Sequence, residues 1–226
     1  MKFDRMPLWV LTLGVSILLL LASLVEAATR GDPLEGRRLY LTFCFACHGK
    51  TGKGDGPFAS RLPVKPRDHT DDQYMSQKSD QDLFNAISGG GEAFHGSRFM
   101  PFWNKTFSEE QIWDLVAYLR SLHRPHIQGD ATRGEALYKK YCWICHGEEG
   151  RGDGPIAQSV GQFGATPLDF TNKKLMDTRT DLDLYFAIFG GGEGIGKSRY
   201  MPAWGGSLSE QQIWDLVAYL RSLAQE

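Results

Sequence analysis

Four cysteines occur in 226 residues, and they fall in two clusters of the same form: Cys44-Phe-Ala-Cys47-His48 and Cys142-Trp-Ile-Cys145-His146. Each cluster sets two thiols three positions apart with an imidazole directly after the second. Four chemistries use cysteines at such spacing. A thioredoxin-like redox pair follows a strand in a βαβ unit and has no use for the histidine. A disulfide framework would close two tight local loops and staple nothing distant. A zinc site of all four cysteines would leave both histidines idle and draw ligands from two segments that look self-contained. Covalent c-type haem uses every residue: the thiols add to the two porphyrin vinyl groups, and the histidine is carried beneath the iron as its proximal ligand. The spacing therefore predicts two covalent haem c groups, held by Cys44 and Cys47 and by Cys142 and Cys145, with His48 and His146 on the irons.

The two clusters are part of a larger duplication. The segment QIWDLVAYLRSL stands at 111–122 and again, unchanged, at 212–223. SRFMPFW (97–103) pairs with SRYMPAW (198–204), DLFNAISGGGE (82–92) with DLYFAIFGGGE (183–193), and GKGDGP (52–57) with GRGDGP (150–155). The offset is 98 at the front of each unit and 101 from Pro66 and Pro167 onward, so three residues are inserted near GQFGAT. The expected organisation is a leader at 1–28, one domain at 29–124, a join at 125–130 and a second domain at 131–226. Pro125 and Gly129 break helix in the join.

The elements that must position the clusters read as helices. Asp32 is the expected N-cap of a helix opening at Pro33 and leading into the first cluster. Ser108 and Gln111 form a capping-box pattern. Ile112, Leu115, Val116, Leu119 and Leu122 then recur at spacings of three and four along one face. Gly-rich and Pro-rich loops fill the rest, and no stretch sustains strand alternation. The fold class is mainly α, with an apolar helix expected ahead of the two domains.

The sixth ligand separates electron carriers from catalysts. His69, His95, His123 and His126 have no histidine at the matching position of the other repeat, and they read as surface, loop or linker residues. Two methionine pairs do repeat. Met100 and Met201 stand in SR[FY]MP, where the following proline holds the backbone extended. They are the expected axial ligands, 52 residues after His48 and 55 after His146. Met75 and Met176 lack that stiffening and read as core.

The order CxxCH, GxGDGP, GGG, MPxW and an amphipathic C-terminal helix resembles class I cytochrome c in tandem, over residues 30 to 224. That resemblance implies a helix before the CxxCH crossing the C-terminal helix, with Gly36 and Tyr40 against Tyr118, and Gly134 and Tyr138 against Tyr219. It also implies a proline near each proximal histidine, either Pro57 or Pro66 and either Pro155 or Pro167, and a tryptophan, Trp103 or Trp204, near the haem edge or simply in the core.

Methionine–histidine ligation leaves no open coordination position and raises the reduction potential. The function expected is single-electron transfer between a donor and an acceptor protein, either as a free carrier or within a larger respiratory complex; a dihaem peroxidase with one displaceable ligand is the alternative. A net charge of −2 gives no footing for nucleic acid. Lys2 and Arg5 precede an uncharged run at 8–25, followed by the small residues Ala27 and Ala28. A cleaved signal and a retained membrane anchor both fit, and either places the domains on the periplasmic side of the cytoplasmic membrane. Residues 50–67 carry Lys50, Lys53, Arg61, Lys65 and Arg67 against Asp55, whereas 148–168 carry Arg151 against Glu148, Glu149 and Asp153. Either the loops have drifted, or the domains face partners of opposite charge.

Overall fold

Asp32 accepts a hydrogen bond from the Leu34 amide and opens α1 (Pro33–Leu39), with proline at its first turn. A π-helical turn (Tyr40–Cys44) and α2 (Phe45–His48) carry the chain through the first cysteine cluster. The first repeat continues with α3 (Asp72–Met75), α4 (Asp80–Gly89) and α5 (Glu109–His123). The second has α6 (Ala131–Tyr141), α7 (Trp143–His146), α8 (Ala157–Gly161), α9 (Lys173–Met176), α10 (Asp181–Gly194) and α11 (Glu210–Leu223). The structure is a computed structural model that describes residues 31–94, 96–123 and 127–225. The apolar run at 8–25, His95, His126 and part of the join lie outside the described residues. Among the described residues there is no strand, and no helix is long and apolar enough to cross a membrane.

Each repeat is built on a crossing of its first and last helices. A Cβ at Gly36 would lie 1.9 Å from the Asp114 carbonyl oxygen, and one at Gly134 would lie 2.0 Å from that of Asp215. Only glycine lets the two backbones come so close. Tyr40 meets Tyr118 with ring centroids 5.0 Å apart, and Tyr138 meets Tyr219 at 5.2 Å, the aromatic contacts that the resemblance implies. The predicted face of α5 is buried at Ile112, Leu115, Val116, Leu119 and Leu122, and Ile213, Leu216, Val217 and Leu220 do the same in α11. Both capping boxes form: Ser108 with Gln111, and Ser209 with Gln212.

The arginine common to both copies of the repeated helix has a structural task. Arg120 donates to the Met75 carbonyl and pairs with Asp80; Arg221 does the same with Met176 and Asp181. That bond fastens α3 and α9, whose Met75 and Met176 are fully buried, as core filler should be. The three-residue insertion accompanies a lengthened turn, since a single 3-10 turn at Ala59–Arg61 corresponds to α8.

Candidate haem-binding site

The GDGP segment, which the sequence marks but does not explain, closes the end of each cysteine turn. Gly54 N–H donates to the His48 carbonyl and Gly56 N–H to that of Cys47; Gly152 and Gly154 repeat the pattern on His146 and Cys145. These bonds satisfy carbonyls that a short helix leaves without partners at its C-terminus. The two histidines are thereby held in place by backbone rather than by side-chain contacts alone.

The imidazole of each cluster is also fixed in rotation. His48 Nδ1 lies 3.1 Å from the Arg67 carbonyl oxygen, and His146 Nδ1 lies 3.3 Å from that of Leu168. A carbonyl can only accept, so Nδ1 carries the proton and Nε2 keeps its lone pair for a metal. Burial pushes both histidines below their usual range, with the carbonyl bond acting in the opposite sense. Both rings are therefore neutral, the form that ligates. The carbonyls belong to the residues directly after Pro66 and Pro167, which singles out those prolines over Pro57 and Pro155.

The thiols do not behave as a redox pair. Burial pushes Cys44 and Cys142 up to about 12, with a smaller contribution from the neighbouring thiol, and burial also raises Cys145. A disulfide oxidoreductase needs the reverse, a stabilised thiolate. All four cysteines are free and half-buried. Among the described residues no three His, Cys, Asp or Glu side chains come together to hold a metal ion, so the four-cysteine zinc site has no geometry here. Two thiols on adjoining helical turns, beside an oriented imidazole, are the donor set that a covalently attached haem requires.

Met100 and Met201 lie on loops that the triple glycines hold down. Gly91 N–H donates to the Met100 carbonyl at 3.1 Å, and Gly192 N–H to that of Met201 at 2.9 Å. A Cβ at Gly91 would stand 2.0 Å from the Ser97 carbonyl oxygen, and at Gly192 it would stand 1.8 Å from that of Ser198. Trp103 and Trp204 close the far side by donating their amides to Ile87 and Ile188. Proline thus stiffens one side of each methionine, and a glycine turn anchors its backbone. Both side chains are half-buried against the core. Trp103 stacks on Phe107 at 5.1 Å, and Trp204 packs on Tyr141 at 5.1 Å.

Two histidines depart from their expected surroundings. His69 is not a surface residue: it is 9% exposed, its ring lies 4.6 Å from that of His48, and its Nδ1 has no hydrogen-bond partner. Phe170 takes the same place beside His146, at 4.7 Å. The signal was present in the sequence, because an aromatic ring at the matching position of the other repeat marks a buried plane. His123 is the last residue of α5, with Asp72 Oδ1 3.3 Å from its Nδ1.

Residues 34–123 match the family described as cytochrome c, and residues 129–220 match cytochrome c oxidase, cbb3-type, subunit III. Among curated relatives, the cbb3-type cytochrome c oxidase subunit CcoP of Azospirillum sp. (strain B510) is 26% identical over 204 residues, covering 83% of this chain and 61% of the relative. Subunit FixP of Bradyrhizobium diazoefficiens is 28% identical over 195 residues, covering 84% and 60%. The chain thus spans about three fifths of the length of the relatives it matches. A chain of the reducing HAO-like protein complex of Kuenenia stuttgartiensis aligns over 84% of this chain and 95% of its own length, at 28% identity and a TM-score of 0.35.

Proposed function

The chain is a tandem of two class I cytochrome c domains, and on that footing we propose that it carries single electrons between a donor and an acceptor protein as a dihaem c-type cytochrome. Cys44 and Cys47 would bind one haem and Cys142 and Cys145 the other. His48 with Met100, and His146 with Met201, would complete the two irons. Bound haem would supply the one-electron couple; the residues of this chain hold the proton on Nδ1 of each histidine and fix the methionine loops. The domains proposed are 29–124 and 131–226, joined at 125–130.

The observation that carries this reading is the equality of the two sites. Each has a neutral histidine turned by a carbonyl, and each has a methionine loop anchored by a glycine amide. A peroxidase needs one iron with an easily displaced ligand, and neither methionine loop is built more loosely than the other. Relatives named as subunits of a cbb3-type oxidase point to work inside a membrane oxidoreductase complex, on the periplasmic side, with the 8–25 segment as signal or anchor.

The test is the oxidised and reduced spectrum of protein matured in a host that attaches haem c, with haem counted per chain. Two haems are expected, each with the weak red-edge band of sulfur-to-iron ligation, lost site by site in Met100→His and Met201→His. A high-spin iron that binds cyanide quickly would reject the carrier reading for that domain.

A further inference from the structure

The two repeats touch through faces that are not equivalent. The first domain offers α1 and α5, with Leu34, Arg37 and Tyr118; the second offers one side of α10, with Asp183, Phe186 and Gly190. Arg37 forms an ion pair with Asp183, and the guanidinium lies 5.9 Å from the Phe186 ring. Asp183 serves both sides at once, because its other oxygen accepts from the Thr180 amide in the capping box of α10. Phe186 meets Tyr118 with ring centroids 5.9 Å apart and is fully buried. Leu34 lies so close to Gly190 that a Cβ there would fall 2.5 Å from its Cδ1.

Three of the residues that make this seam, Leu34, Arg37 and Phe186, are replaced at their counterparts in the duplication, whereas Tyr118, Asp183 and Gly190 are kept. Phe186 corresponds to Asn85, which is exposed and bonded to Gln81. Arg37 corresponds to Glu135, which pairs with Lys139 on its own helix, and the apolar Leu34 corresponds to the polar Thr132. Tyr118 is 3% exposed, whereas its counterpart Tyr219 is only half-buried. A head-to-tail contact of this kind would propagate if both repeats carried both faces. Here the outward faces carry Glu135 and Asp82, and these like charges would oppose a third unit.

We propose that this seam is a coupling device. It holds the two domains at one orientation, so that an electron passes between the haems within the chain, and Phe186 and Arg37 are its positioning residues. The inference rests on the dihaem reading above. With haem bound at both sites, one iron would be oxidised as the other is reduced, with no bond made and no proton moved. The packed rings run from Tyr40, whose hydroxyl donates to the carbonyl of Gly49 beside His48, through Tyr118, Phe186 and Tyr185 to Phe189. Phe189 packs under Gly205, just beyond the Met201 loop. Contacts between domains of one chain are ordinarily small and permit relative motion. A specific ion pair and a buried apolar side chain are what restrict that motion.

The test uses haem-loaded full chain carrying Arg37→Glu and Phe186→Asn, each the residue of the other repeat, with Phe186→Leu as the apolar control. Small-angle scattering reads the domain arrangement, and flash reduction reads the rate of electron equilibration between haems. Expected are an expanded particle and a several-fold slower equilibration for Arg37→Glu and Phe186→Asn, with haem count, potentials and ligand bands unchanged, and near wild-type behaviour for Phe186→Leu. Unchanged scattering and rate in the Arg37→Glu, Phe186→Asn double variant would overturn the proposal while leaving the two-haem reading intact. A wild-type chain lacking two ligated haems would instead reject that reading, and the scattering comparison would still decide whether the seam holds the domains.

Discussion

His69 stacks on His48, with the two rings 4.6 Å apart and inclined by 26°. The second repeat has Phe170 in that position against His146, in nearly the same geometry. The two histidines thus share the same kind of carbonyl partner but lie against different rings. Groups around a ligating imidazole tune the metal it holds. A heteroaromatic ring with one unpartnered nitrogen is a polar neighbour; a phenyl ring is not. His69→Phe should therefore narrow the difference between the two reduction potentials, and Phe170→His should alter the second site alone. A redox titration of both variants that left the two potentials where they were would dismiss the stacked ring as a tuning element.

The helix crossings predict a sharp contrast among glycines. Gly36→Ala and Gly134→Ala would each press a methyl group into a backbone carbonyl at about 2 Å, where nothing flexible can yield. Each should cost about 1–3 kcal/mol or more, the usual penalty of overpacking. Gly161→Ala, in α8 with nothing within 4 Å, should be neutral or stabilise by up to about 1 kcal/mol. Denaturant midpoints of the three variants decide this.

The paired aspartates beneath the crossings should respond to acid in opposite senses. Burial raises Asp215, but bonds from Arg133, the Asp130 amide and Gln211 outweigh it, and its carboxyl is held below the usual range. Asp114 accepts only the Asp32 amide among these, since Glu35 stands where Arg133 does; burial wins and raises it, with nearby carboxylates adding. A carboxylate with a depressed folded pKa stabilises above its unfolded value, about 3.9, and loses that stabilisation as pH falls through the folded value. A carboxyl with a raised folded pKa does the reverse: its stabilisation is present in acid and is lost as pH rises through the folded value. On acidification the stabilisation contributed by Asp215 should therefore be lost, and that contributed by Asp114 gained. Hydrogen exchange at α5 and α11 across an acid series reads the two separately, and Asp215→Asn should reduce the acid sensitivity of α11 while leaving that of α5 unchanged.

Lys50, Lys53 and Lys65 are all exposed on the first domain, whereas Arg151 of the second is paired with Glu149. Charge on a docking face acts chiefly on association rate and is screened by salt. Replacing the three lysines with glutamate should slow electron exchange with one redox partner only, most strongly at low salt. Equal slowing with donor and acceptor would show that the domains do not divide the partners by charge.

Much of this protein is legible in the order of its residues. The cysteine and histidine spacing is local chemistry, and a period of about a hundred residues makes the duplication visible by comparison within the chain. The helix face of 109–123 and its capping box depend only on neighbours three or four positions away, so periodicity sufficed for them. Gly36 and Gly134 recur at matching positions, but their close approach to the last helix of each repeat is what the resemblance to class I cytochrome c implies, not something periodicity shows.

What only the tertiary structure decided involves pairs distant in the chain. The choice of Pro66 over Pro57 depends on which carbonyl reaches a histidine 19 residues away. His69 reads as a polar loop residue until the loop folds over His48, because burial belongs to the fold and not to the residue type. The seam is the extreme case. Arg37 and Asp183 stand 146 positions apart, and each lies among ordinary surface charges in its own repeat. The sequence determined two similar domains; how one rests on the other is decided by a few long-range contacts, which no local pattern encodes.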